Sequence, residues 1–370
     1  AESFLHKPVH IEKINAQWRD FQPVLDLHNV TIFNKENGKS IFKIQDLRVG
    51  LNIIESILKR RIIVSRLYID SMHMSLIQDV NKTWRVKGFD NTMDVTKDAS
   101  VKLKDTISWL LSQPELMVQN VSLSIHAYHR KVQKIRDLNI VLNNTGDKHY
   151  LRGQANLLKH GSPLDVAINL QGNAEDISHL NGTFYLQGAK TPISSWLGSD
   201  KFYGFSCEQG DFSFQLWGKW QSNKINNVQS NIDFSNVILQ TLNAQKKIYI
   251  DHLSANLYWT TNTLNQWLLS GDNIDLSINH HQWPKDKFSL LSSRSDTTDL
   301  NTGAQKFQLQ YLRLQDLNTI VPQLAFLSDK IRKYWQALSP RGDISNLRLV
   351  HDGYIKSSKK YHFLFDFHQL

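Results

Sequence analysis

The stretch Val64-Ser65-Arg66-Leu67-Tyr68-Ile69-Asp70-Ser71-Met72-His73-Met74-Ser75-Leu76-Ile77 sets the reading of the whole chain. Leu67 and Ile69 alternate with more polar neighbours, the period of a strand with one apolar face. Met72, Met74 and Leu76 then resume the alternation one residue out of step. A slip inside a single run is what a β-bulge or a tight bend produces. Upstream, Leu25 and Leu27 alternate before Val30 and Ile32 shift phase, and Leu47, Val49, Leu51 and Ile53 share one face.

The same period recurs downstream: Leu123 and Ile125; Leu138, Ile140 and Leu142; Val166, Ile168 and Leu170; Phe184 and Leu186; Phe212, Phe214 and Leu216. It continues in Ile248 and Ile250; Leu253, Ala255, Leu257 and Trp259; Ile274, Leu276 and Ile278; Leu347 and Leu349; and Phe363, Phe365 and Phe367. Turn residues separate many runs, at Asn37-Gly38, Asn144-Thr145-Gly146-Asp147, Gly271-Asp272-Asn273 and Asp352-Gly353. Helical spacing is rare: 53–60, 101–112 ended by Pro114, a short turn in 191–197, and 316–338 broken near Pro322. Polar segments at 90–100 and 292–303 are soft boundaries, too short to be linkers. The expectation is a mainly β chain, one antiparallel sheet growing through 1–370 as a single elongated body, with a few short helices.

Among the 370 residues the hydrophobic fraction is 41% and the aromatic fraction 10%, which excludes a disordered chain. The formal charge of +9 favours anionic partners such as phospholipid headgroups or nucleic acid, and equally suits a plain well-solvated surface. Cys207 stands alone, so an internal disulfide and a cysteine zinc site are excluded. No stretch reaches the ~20 apolar residues of a membrane-spanning helix; the most apolar, 51–64, is interrupted by Glu55, Lys59, Arg60 and Arg61. The sequence opens at Ala1 and is expected to be a piece of a longer protein, its anchoring segment lying elsewhere.

Catalytic signatures are missing: there is no glycine-rich phosphate loop, GxGxxG, GxSxG or HExxH, and no enzyme activity is expected. His280 and His281 are adjacent, so on a strand they would point to opposite faces, and they read as a loop pair. Arg341-Gly342-Asp343 after Pro340 reads as a helix-to-strand turn. Asn29-Val30-Thr31, Asn120-Val121-Ser122 and Asn181-Gly182-Thr183 fit glycosylation acceptors, yet they are ordinary strand composition. The ten tryptophans are dispersed and read as anchors of a core or groove. Lys59, Arg60, Arg61 and Arg66 suit headgroups, and equally a charged edge that discourages strand pairing. Basic and aromatic residues do not interleave as nucleic-acid binding requires.

One ordered set of segments is familiar. It starts with Ile14-Asn15-Ala16-Gln17-Trp18 and Phe21-Gln22-Pro23-Val24-Leu25-Asp26-Leu27, and runs through Ile44-Gln45-Asp46-Leu47-Arg48-Val49, Ser56-Ile57-Leu58 and Leu67-Tyr68-Ile69-Asp70. Later members are Ser195-Trp196-Leu197-Gly198, Gly210-Asp211-Phe212, Leu314-Gln315-Asp316-Leu317 and Leu338-Ser339-Pro340-Arg341-Gly342-Asp343. This order resembles the AsmA-like family of bridge-like lipid transport proteins. The resemblance implies a long curved sheet with an open hydrophobic groove, a periplasmic location, and an inner-membrane anchor helix absent from this chain. It implies phospholipid as the ligand, support of outer-membrane lipid homeostasis, possible envelope-protein partners, and no catalytic residues or cofactor. The lining would come from the runs between Leu25 and Ile278 named above, leaving aside Val30, Ile32, Ile53, Phe184, Leu186, Ala255 and Trp259.

The physics suits lipid. Two acyl tails cost on the order of 20 kcal/mol to expose, at roughly 0.8 kcal/mol per CH₂. Alternating strands make one apolar row and one polar row. Strands laid across a trough extend it by about 4.8 Å each. Read from periodicity alone, the pattern favours an ordinary β-sandwich; the resemblance reverses that preference. A scaffold presenting strand edges to other proteins and a sugar-binding sandwich are the remaining readings.

Overall fold

The computed structural model describes residues 8–368 apart from 20–21, 35–37, 39, 59, 61–62, 79, 81–83, 88–103, 105–106, 129–131, 157–161, 194–203, 223, 243–245, 263–265, 294–303, 325–326 and 356–357. The chain is mainly β. It divides into two units, the first of residues 1–186 and 220–224 and the second of 187–219 and 225–370. The expected boundary at 90–100 and most of that at 292–303 lie outside the described residues.

In the first unit β1 (Val9–Arg19), β2 (Gln22–Phe33), β3 (Ser40–Leu51) and β4 (Val64–Gln78) form an antiparallel meander. Helix α1 (Ile53–Leu58) joins β3 to β4, where the sequence places a short helix. β5 (Trp84–Val86) pairs with the end of β4, and β6 (Glu115–His126) then pairs with β4 in parallel. The sheet is antiparallel as expected, with this one parallel step among the described pairings. After β5 the chain returns to the end where β4 began, so β6 must run in the same direction as β4. Helix α2 (107–112) lies on that return. β7 (Gln133–Thr145), β8 (Lys148–Asn156) and β9 (Leu164–Gln171) restore the meander. Gly146, at φ 57°, makes the β7–β8 turn where Asn144 to Asp147 predict one.

β10 (Asn181–Pro192) precedes the strands of the second unit, β11 (Phe205–Gln221), β12 (Lys224–Thr241), β13 (Lys247–Thr261) and β14 (Gln266–Ile278). β15 (His281–Gln282), β16 (Asp286–Ser293), β17 (Gln305–Arg313), β18 (Asp343–Ile355) and β19 (Ser358–His368) follow. From β12 onward each strand pairs antiparallel with the next, except that the short β15 and β16 both pair with β14. Between β17 and β18 the chain forms α3 (Leu314–Leu317), a 3-10 turn at Val321–Gln323 containing Pro322, and α4 (Asp329–Leu338). That is the predicted helical region in pieces, and Gly342, at φ 105°, makes the predicted turn into β18.

Two predicted turns are not turns. Gly271-Asp272-Asn273 lies in the middle of β14, and Asp352-Gly353 lies within β18. Gly, Asn and Asp supply unusual backbone angles whether a chain reverses or merely bends, so composition alone cannot separate the two.

Candidate functional site

Residues directly opposite each other on paired strands share a face. In the first unit this assembles Leu25, Val49, Leu67, Leu116, Leu142, Leu151 and Ile168 into one row across β2, β3, β4, β6, β7, β8 and β9. A parallel row holds Leu27, Leu47, Ile69, Val118, Ile140, Gly153 and Val166. Nearer the other strand ends, Ile44 opposes Met72, Met74 opposes Leu123, Leu76 opposes Ile125 and Val121 opposes Leu138. Leu51 opposes Val64, and Leu170 opposes His149.

The second unit repeats the pattern. Phe234, Leu253 and Leu276 form one row, Val237, Ile250 and Ile278 another, and Leu239 opposes Ile248. Two longer rows are Val228, Trp259, Leu269, Leu290, Phe307, Leu349 and Leu257, Gly271, Phe288, Leu309, Leu347. On Gly271 a Cβ would meet the Phe288 ring at 2.5 Å, so the glycine makes room for that ring. Phe212 stacks on Phe214 at 5.1 Å and on Phe234 at 4.3 Å. A shallow cavity of about 370 Å³ lies along Phe288, Leu309 and Leu347, with Lys287 and Arg348 beside them. Leu116, Val118, Leu151, Leu269, Leu290 and Phe307 belong to these rows, although periodicity missed them. Leu116-Met117-Val118 and Leu268-Leu269 read as unbroken apolar runs, in which alternation is invisible.

What bends the strands is a set of left-handed residues: Asn29 on β2, Ser71 on β4, Asn120 on β6, Asn236 on β12, Asn273 on β14 and Asn346 on β18, with φ between 49° and 56°. Asparagine tolerates this conformation because its short side chain bonds locally. On β6 the Asn120 side chain donates to Asp70 at 2.8 Å, while Gln119 accepts from the Tyr68 hydroxyl at 3.1 Å. Residues 119 and 120 therefore both lie on the polar face, which returns Val118 and Val121, three apart, to the apolar one. On β14 Asn256 and Asn273 both donate to Asp272, at 2.9 and 3.1 Å, giving Gly271 and Ile274 the same relation. The phase slips read after Leu27 and after Ile69 are these bends, at Asn29 and Ser71. After Asn29, Asn120 and Asn236 the next residue is deeply buried, with Val30 at 3%, Val121 at 1% and Val237 at 4% exposure, whereas Met72, Ile274 and Leu347 after the other three are half-buried. Two of the apparent glycosylation acceptors, Asn29 and Asn120, are thus bend residues.

The opposite face of the first unit is polar. Buried Asp26 accepts from Gln17 and pairs with Arg48 at 3.3 Å, Arg48 lies 4.8 Å over the Tyr68 ring, and His28 meets Asp46 at 2.6 Å. Burial raises the Asp70 carboxyl, but hydrogen bonds from Asn120, Ser71 and Tyr68 outweigh it and hold the group below its ordinary value. Tyr68 is raised, by burial and by its bond to Asp70.

All the expected lining residues are half-buried except Leu142, Ile248 and Ile278, which are buried. Leu142 packs with Leu111 of α2, Leu116 and Leu180. Ile248 and Ile278 pack with Phe205 and Trp283. Trp283 donates to Asp316 at 2.8 Å and meets Tyr311 edge-on at 5.5 Å, a core anchor as the dispersed tryptophans suggest. Trp18, by contrast, is 69% exposed. Asp286, opposite Ile274, is raised by burial although it accepts from the Lys287 and Tyr311 amides. His280 sits in the turn after β14 and pairs with Asp251 at 3.0 Å. Among the described residues no group of His, Cys, Asp and Glu could hold a metal ion.

A family model described as "YhdP protein" matches residues 1–370. The chain is similar to the "Intermembrane phospholipid transporter YhdP" of Escherichia coli (strain K12), 20% identical over 356 residues. The match takes in 94% of this chain and 27% of that protein, so the chain spans about a quarter of its relative's length. No solved structure matches.

Proposed function

This chain belongs to the YhdP family, and on that premise we propose that its apolar sheet faces hold phospholipid acyl chains passing through the periplasm between two membranes. The observation that carries the reading is the half-buried state of Leu25, Val49 and Leu67, and of the whole row from Leu27 to Val166. The inner faces of a sandwich bury each other. Contiguous apolar surface left open costs roughly 25 cal/mol per Å², and an acyl chain laid along it removes that cost. The expected lining residues, joined by Val118, Leu151, Leu269 and Leu290, supply the surface, with Met72 and Met74 as its adaptable part. Leu142, Ile248 and Ile278 hold the sheet to its covers. The name of the relative fits this carriage. The reading is of transport without chemistry, in a periplasmic protein anchored at the inner membrane.

The test is mass spectrometry of lipid extracted from the purified chain, with Val49→Asp and Ile140→Asp on the apolar face and Arg152→Glu on the polar one. We expect phospholipid in the wild type and in Arg152→Glu, and a several-fold loss in the other two with circular dichroism unchanged. A folded wild type that carries no lipid would sink the proposal in favour of a scaffold acting through strand edges.

A further inference from the structure

Helix α1 is built inside out. Its polar groups turn to the protein: the Ser56 hydroxyl donates to the Asn52 carbonyl and accepts from the Ile63 amide at 2.9 Å, and the Asn52 side chain accepts from the Glu55 amide at 3.1 Å. Its apolar side chains turn outward, with Ile54 74%, Ile57 71% and Leu58 76% exposed, and none of its six residues is buried. A helix on a water-soluble surface does the reverse.

The rim around it is of the same kind. Trp18 opposes Pro23, Gly50 opposes both Val24 and Arg66, and Leu67 opposes Leu116. The end of β1, the start of β2, α1, and the starts of β4 and β6 with α2 therefore lie along one end of the strands. Trp18 stands on that rim, as does Trp109 of α2, which is 47% exposed. In sequence the segment 53–61 carries Lys59, Arg60 and Arg61 against the single acid Glu55, while Arg66 is paired with Glu115 at the start of β6. Projecting aliphatic side chains, flanking tryptophans and a basic excess together suit a lipid–water interface with negative headgroups.

We infer that this rim of the first unit docks on the surface of an anionic phospholipid bilayer. Ile54, Ile57 and Leu58 enter the boundary between headgroups and acyl chains, and the exposed Arg60 beside them supplies attraction to phosphate. The inference goes beyond the groove reading and does not depend on it, since the sheet face holds single lipids and the rim a bilayer.

Flotation of the purified chain with vesicles of phosphatidylethanolamine and phosphatidylglycerol, roughly three parts to one, tests it. The wild type should float with these vesicles, float less with phosphatidylcholine alone, and weaken at about 0.5 M salt, where charges are screened within a few ångströms. The double variant Ile54→Asp/Ile57→Asp should lose about tenfold in binding, with melting temperature and co-purified lipid unchanged because both side chains already face water. Val49→Asp should show the opposite pattern, keeping flotation and losing lipid, so the two proposals fail separately. A wild type that does not float overturns the inference, as does a double variant that floats equally well. A wild-type dimer that ignores vesicles and that the double variant turns into monomer would also overturn it, making the rim a contact between copies.

Discussion

The two units bend their strands by one device and cover their apolar faces by two. In the first, Asp70 ties the left-handed Ser71 and Asn120; in the second, Asp272 ties the left-handed Asn273 to Asn256. The covers differ: Leu111 of α2 closes one end of the first face, whereas Trp283 and the 3-10 turn after α3 close part of the second. A bend needs a residue that tolerates positive φ and a nearby acceptor, which a short motif supplies. A cover needs a shape that fits one place, and any fitting side chain will serve.

The covers should give the largest effects. Trp283→Ala should cost about 3–5 kcal/mol and Leu111→Ala about 2–5 kcal/mol. Urea unfolding followed by hydrogen exchange should show protection falling in β11 to β17 for the first variant and in β6 to β8 for the second. Equal loss in both units from either variant would break the comparison.

Removing the tie comes next. Asp70→Ala takes the acceptor from Ser71 and Asn120, while Tyr68 keeps Gln119, and should cost about 1–3 kcal/mol by thermal unfolding. The two carboxylates Asp70 and Asp286 should also act oppositely with pH. Asp70 is held below its unfolded value of about 3.9, so its stabilisation is present above that pH and lost as pH falls through the folded value. Asp286 is raised by burial, so its charged form is penalised and stability increases as pH falls through its folded pKa. Unfolding curves for Asp70→Asn and Asp286→Asn across the acid range should therefore diverge from the wild type in opposite senses.

The bend residues themselves should give the smallest effects. Asn29→Ala and Asn273→Ala should each cost about 1–2 kcal/mol through the left-handed backbone, while the glycine variants should stay close to neutral. Alanine variants as stable as the glycine ones would mean that the backbone angle is not what these positions select.

Much of this was legible in the sequence. Alternation from Leu25 to Ile278 marks the strands, and the slips after Leu27 and Ile69 mark the bends, because a strand's period is local. Asn precedes a branched apolar residue at the bends Asn29-Val30, Asn120-Val121, Asn236-Val237, Asn273-Ile274 and Asn346-Leu347, but equally at Asn139-Ile140, Asn169-Leu170, Asn231-Ile232 and Asn256-Leu257, where the backbone is not left-handed, so the pair alone does not mark a bend. It resembles glycosylation and turn chemistry closely enough to be misread, as Gly271-Asp272-Asn273 was. The parallel pairing of β4 with β6 and the burial of Leu142, Ile248 and Ile278 depend on contacts between distant segments, which periodicity does not carry.

The most direct measurement places a photoreactive amino acid on each face and asks which one crosslinks phospholipid. Val49 and Leu253 sample the apolar rows, and Arg48 and Ser254, their immediate neighbours, sample the opposite face. Crosslinks at Val49 and Leu253 with none at Arg48 and Ser254 is the predicted result. Equal crosslinking at all four positions, or none at Val49 and Leu253 in folded protein, would contradict a lipid-holding face.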